Sequence, residues 1–182
     1  NVEEELDRIR REAEKVVKES RELTREILER AREAVEKSEE DTRRILERLE
    51  RVVKRVKKDV NDREEKLKRI EDIVRRVRES VKKLEEDNKK ILRELEESIR
   101  RWLEAIEKIL EDLRREIKKL KDDRVSEEVL DELRKKVKKL VDELRTEDRR
   151  LEEEVKKIVR DAEKRNKELE DEIRRLAEEL EK

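Results

Sequence analysis

Asp148, Thr24 and Ser98 are the residues whose types could do chemistry together, a carboxylate base beside two hydroxyls. Thr42, Ser80 and Asn166 form a second polar set, and Asn88 falls between the two. All seven interrupt a recurring pattern of Leu, Ile, Val and Ala. A carboxylate next to a hydroxyl could activate an oxygen nucleophile. The chain, however, has no His to pass the proton and no Cys to supply a thiolate. An oxyanion hole needs unspent backbone amides, and amides in the middle of a helix are already bonded. One inward carboxylate is too few for a metal site in a helical bundle, which takes several Glu together with His. The favoured role of the seven is therefore structural: hydrogen-bonded layers that fix register and pairing, because an unsatisfied buried polar group is costly. One alternative places the Ser and Thr residues at the edge of an apolar stripe, facing water. The other makes the set a binding or catalytic site.

The elements that would position these residues follow from the apolar rhythm. Inward positions step by three and four. Paired steps of four are centred on Ser20 and Ser38, then on Ile70, Asn88 and Ile106, then on Val137, Val155 and Ile173. The expected inward set includes Val16, Ala34 and Val52 in the first third. In the second third it includes Ile73, Ile91 and Ile109, with Trp102 in the slot of Leu84 and Leu120. The repeat is 18 residues over five turns, or 3.6 per turn, which matches a straight α-helix. A heptad would instead impose left-handed supercoiling.

The phase slips only near residues 60 and 123, where turn chemistry sits: Asp59-Val60-Asn61-Asp62 and Asp122-Asp123-Arg124-Val125-Ser126. With Gly absent, Asp and Asn are best able to adopt left-handed turn conformations. Asp62 with Glu65 reads as a capping box, and Ser126 as an N-cap with Val125 and Leu130 as a hydrophobic staple. Lys37–Thr42 and Glu85–Asn88 imitate turns, but the phase runs through both without a shift. The chain is thus expected to be all-α: one long, straight, antiparallel, up-down-up three-helix bundle over 1–182, with helices at about 2–58, 62–121 and 126–181. Each helix would be about 87 Å long at 1.5 Å per residue. With such turns, residue i of the first helix should lie level with 121-i on the second and i+125 on the third. Thr24 would then meet Ser98 and Asp148, with Ser20 nearby. Thr42 would meet Ser80 and Asn166, with Ser38 nearby.

Composition narrows function further. Of 182 residues, 62% are charged and 31% hydrophobic, with a net charge of -1 and no Gly, Pro, Met, Tyr or Phe. High charge can mean disorder, but here the charges cancel and the apolar residues are periodic. Without Gly there is no phosphate-cradling loop or dinucleotide fingerprint. Near-zero net charge and alternating signs make poor nucleic-acid or membrane footprints. No apolar stretch approaches the roughly 18 residues of a membrane span, and no secretory signal pattern is present. Asn1 comes first and no Met follows, so any initiator would precede it. Trp102 reads as a core filler, since a ligand-stacking role needs a cavity and more aromatics.

Idealised helices, an 18-residue repeat, minimal turns and an almost wholly charged surface resemble de novo designed proteins. The class they most resemble is that of parametrically generated, untwisted antiparallel three-helix bundles. The likeness covers the whole chain and lies in pattern. Thr24, Ser98, Asp148, Thr42, Ser80 and Asn166 also fit the style of designed bundles with buried hydrogen-bond layers. Natural spectrin-like repeats carry supercoiled heptads and a richer composition. The resemblance implies a heat-stable, monomeric scaffold, soluble and cytoplasmic on recombinant expression. It implies no enzyme activity, no cofactor, no metal, and no nucleic-acid, membrane or other partner. The competing expectation is a self-associating or helix-binding interaction module, with Leu28, Leu46 and Leu103 at the stripe edges as its contacts.

Overall fold

Strong helix formers fill nearly every position between the turns, so the backbone meets no breaker over long runs. The computed structural model describes residues 1–59, 64–122 and 124–181. They form three α-helices, α1 (Val2–Asp59), α2 (Glu64–Lys121) and α3 (Glu127–Glu181), and no strand occurs among them. Asn1 caps α1. Its Oδ1 accepts the Glu3 N–H at 3.1 Å, and its carbonyl accepts the Glu5 N–H at 3.2 Å. Ser126 starts α3 through its Oγ, which accepts the Val129 N–H at 3.4 Å. Leu130 belongs to the adjoining core and Val125 packs, partly buried, against that core. Each helix opens on Glu residues; α1 and α2 close on Lys residues, matching the helix dipole, and α3 has no basic last turn. The Asp62 capping box lies outside the described residues. No described residue has positive φ, Asp122 included; Asn61 and Asp123 also lie outside the described residues.

The three helices pack as an all-α bundle whose buried side chains fall into two compact units. Unit 1 combines Asn1–Glu29 with Glu94–Val155; unit 2 combines Arg30–Arg93 with Lys156–Lys182. In unit 1, Leu6, Ile9, Ile106, Ile117, Leu133 and Leu144 are among the core residues. In unit 2, Leu49, Ile70, Val77 and Ile173 have the same role.

The buried seats recur every 18 residues. On α1 they are Leu6, Thr24 and Thr42; Ile9, Ile27 and Ile45; Ala13, Ala31 and Leu49; Val17, Val35 and Val53; Ser20, Ser38 and Val56. This corrects one part of the expected phase. Val17, Val35 and Val53 take the seats expected for Val16, Ala34 and Val52, which are only half-buried. At 100° per residue the five seats fall within an arc of about 80°, and Val16 lies about 20° outside it. Adjacent apolar residues at 16–17, 34–35 and 52–53 made the two phases look alike in sequence. A second correction concerns α2. Ile109 is 39% exposed and Leu110 is buried in its place. Ile109 was the outermost of the expected seats, so a small turn of the stripe about the helix axis suffices to expel it.

Ion pairs flank the core seats along α1 and α2. In unit 1 the pairs are Asp7–Lys121 at 2.6 Å, Glu14–Arg114 at 3.0 Å, and Arg21–Glu107. In unit 2 they are Arg43–Glu85 at 3.1 Å, Glu50–Arg78 at 3.3 Å and Lys57–Glu71 at 3.9 Å. Partners fall along α2 as they rise along α1, and residue i always meets 128-i. The expected level of 121-i was therefore seven residues, about 10 Å, out of place.

Candidate functional site

The corrected level decides which polar residues can meet. Residue 104 lies opposite Thr24 and residue 86 opposite Thr42, so Ser98 and Ser80 each sit six residues away along α2. Neither completes the expected layer. Ser98 is half-buried, and Ser80 is exposed because Val77 and Val81 occupy the buried arc around it. On α3 the offset is 128–129 rather than 125, as Ser20–Asp148 and Glu5–Arg134 show.

In unit 1 the polar contact is therefore Ser20 to Asp148. The Ser20 Oγ donates to Asp148 Oδ1 at 3.0 Å. Asp148 takes the seat held one repeat earlier by Leu130 and one repeat later by Asn166, which draws it partly into the core. Burial pushes its carboxyl above the ordinary Asp range. The Ser20 hydrogen bond opposes that shift, and Glu152 and Glu147 add to it. Thr24 is fully buried, but its Oγ1 donates to the Ser20 carbonyl at 2.7 Å, one turn back in the same helix.

In unit 2, Thr42 does the same to the Ser38 carbonyl at 3.0 Å. Asn88 donates through Nδ2 to Glu39 Oε1 at 3.3 Å, and Asn166 donates through Nδ2 to Glu170 Oε1 at 3.1 Å. The Oδ1 atoms of both Asn residues are buried with no hydrogen-bond partner among the described residues. Burial pushes the Glu39 carboxyl up; the Asn88 bond and nearby Arg43 and Lys89 oppose this, and Glu85 adds to it. Glu39 was not singled out in sequence. Its signal was the level: 128-i puts Lys89 opposite Glu39 and Asn88 beside it. Asn1 was also overlooked, although Asn ahead of Glu3-Glu4-Glu5 is a good N-cap pattern.

This geometry offers little to a reaction. The Thr24 and Thr42 hydroxyls are spent on backbone carbonyls. Ser20 touches a carboxylate with no imidazole available anywhere in the chain. The surrounding amides lie deep within helices, where they are already bonded. No group of three metal-binding side chains occurs among the described residues. Trp102 is half-buried against the unit 1 core, with its Nε1 buried and without a partner among the described residues. In unit 2 a surface groove of about 800 Å³ runs between α1 and α2, over Val53 and Val74. Its walls alternate Glu50 and Glu71 with Arg51, Lys54, Arg75 and Arg78, so no single sign of charge dominates. No helix among the described residues is long and apolar enough to cross a membrane. No protein-family model matches the chain, and no curated protein matches it.

Proposed function

We propose that this chain is a designed structural scaffold: a monomeric, antiparallel, untwisted three-helix bundle of very high heat stability, with no catalytic activity, cofactor or natural partner. The observation that carries the reading is the 18-residue recurrence of the buried seats, shared by aliphatic and polar residues alike. A repeat of 3.6 residues per turn needs no supercoil to keep its stripe facing inward, which supports untwisted helices. The opposed numbering of the α1–α2 ion pairs supports antiparallel neighbours. Ser20–Asp148 and Asn88–Glu39 join two helices, which supports a register role there, whereas Thr24 and Thr42 bond within their own helix and fill the core. Agreement of propensity, capping and pattern supports high stability.

Light scattering after size exclusion, with a far-ultraviolet melt, tests this. The expected result is a mass near 22.5 kDa and helical signal retained to about 90 °C. Twice that mass, or a melt in the mesophilic range of about 45–65 °C, would overturn it. One observation favours the alternative of an assembly module: Ile109 is 39% exposed. Leu28, Leu46 and Leu103 are half-buried, with Leu46 and Leu103 packed against their own cores. If assembly occurs, Ile109→Lys should return the mass to that of one chain.

A further inference from the structure

A core that repeats every 18 residues has an inherent ambiguity. Sliding α2 along α1 by one repeat brings buried seats onto buried seats again, most of them aliphatic, so apolar burial alone does little to reject the slip. Within one chain only residues 60–63 join α1 to α2, and an 18-residue slip would unravel several turns. Between two copies no such tether exists. A staggered pairing would leave one end of each helix uncovered and free to recruit a third copy, the route to open-ended assembly.

The charges along the α1–α2 seam do not share this ambiguity. In the observed register six rungs join opposite charges: Asp7–Lys121, Glu14–Arg114, Arg21–Glu107, Arg43–Glu85, Glu50–Arg78 and Lys57–Glu71. A slip of one repeat would replace 128-i by 146-i. It would oppose Arg25 with Lys121, Arg32 with Arg114, Glu39 with Glu107, Glu50 with Glu96 and Lys57 with Lys89. All five would be like-charge pairs; the remaining rung, Arg43 with Leu103, is neutral. A slip of one repeat the other way opposes Glu14 with Glu96, Arg21 with Lys89, Arg32 with Arg78 and Glu39 with Glu71, and leaves only Arg25–Glu85 attractive. A slip of two repeats restores two of three pairs but keeps about a third of the core contact. We infer that the seam is a register code: its charges select the in-register α1–α2 pairing and reject a second copy of this chain offset by one core repeat. Exposed pairs contribute little to stability, but juxtaposed like charges discriminate strongly between partners.

The test exchanges the code on α2 without changing the net charge. The variant carries Glu71→Lys, Arg78→Glu, Glu85→Lys, Lys89→Glu, Glu96→Lys, Glu107→Lys, Arg114→Glu and Lys121→Glu. Its in-register pairs repel, and all five charged rungs of the 146-i register attract. Light scattering of the full chain is expected to show mass rising with concentration to twice that of one chain or more. A second variant adds the opposite reversals on α1: Asp7→Lys, Glu14→Lys, Arg21→Glu, Arg32→Glu, Glu39→Lys, Arg43→Glu, Glu50→Lys and Lys57→Glu. It should recover the mass and melting behaviour of the parent. If the α2 variant keeps the parent's mass and melting point, the seam does not set register. If the α2 variant unfolds or associates and the doubly reversed chain does so too, the effect is not one of pairing, and the inference fails.

Discussion

Asn166 and Asp148 hold the same seat of the α3 repeat, and Leu130 shows what that seat accommodates in unit 1. Asn166 is buried, and its Oδ1 has no partner among the described residues, a state that costs about 1–3 kcal/mol. Asn166→Leu removes that acceptor and adds apolar contact. The melting temperature, or the denaturant midpoint if the chain outlasts heating, should rise, by about 2–4 °C for each kcal/mol gained. An unchanged or lower midpoint would mean that Oδ1 is satisfied. Asp148 differs because it titrates. Its carboxyl is raised by burial in the folded state, so the native chain holds the proton more readily than the unfolded one. The burial penalty is absent below the unfolded value and is fully felt above the folded one. Asp148→Asn should therefore stabilise the protein at neutral pH, and the gain should vanish by about pH 3, below the ordinary Asp value. Urea midpoints of both proteins across that range check this. A gain that persists in acid would assign the effect to shape rather than charge. Among these polar side chains only Ser20–Asp148 and Asn88–Glu39 join two helices, and the midpoints measure what a buried polar seat costs.

At the scale of the helix, the phase of the stripe makes its own prediction. Val17 is buried and Val16 half-buried, although they are identical neighbours. Val17→Ala should cost about 2 kcal/mol, from roughly 0.8 kcal/mol per methyl-sized group plus a cavity contribution, and Val16→Ala distinctly less. Equal losses would restore the phase through Val16. At the start of α3, Ser126→Ala removes the acceptor of the Val129 N–H. It should cost about 1 kcal/mol and speed amide exchange in the first turn of α3 while leaving the middle of the helix unaffected. The three helices and the 18-residue period were legible in sequence, because helix propensity is local and the apolar pattern is regular. The level of one helix against another was not. A seven-residue error in α2 preserves most apolar matches to within a small rotation, so patterning did not expose it. It nonetheless moved Ser98 and Ser80 away from Thr24 and Thr42. Ser20, expected only to lie nearby, is the residue that meets Asp148. The seam pairs carry the missing information, since only opposite charges at 128-i satisfy them all.

Across the whole molecule, charged residues make up 62% of the chain. The ion pairs along the helices are solvent-exposed in at least one partner in most cases, and such pairs add little to stability. Unfolding free energies extrapolated from urea and from guanidinium, itself a screening salt, should therefore agree within their usual uncertainty of about 10–15%. A much lower guanidinium value would show that the ion pairs carry the fold. Trp102 gives these measurements an optical asymmetry. It is the chain's only aromatic residue and it packs in unit 1. Its emission therefore follows unit 1, whereas circular dichroism averages the helices of both units. A red shift of the fluorescence ahead of the loss of ellipticity would identify unit 1 as the first to open; coincident curves would describe one cooperative transition. A single fluorophore on one side of the unit boundary thus makes the chain its own two-channel spectrometer.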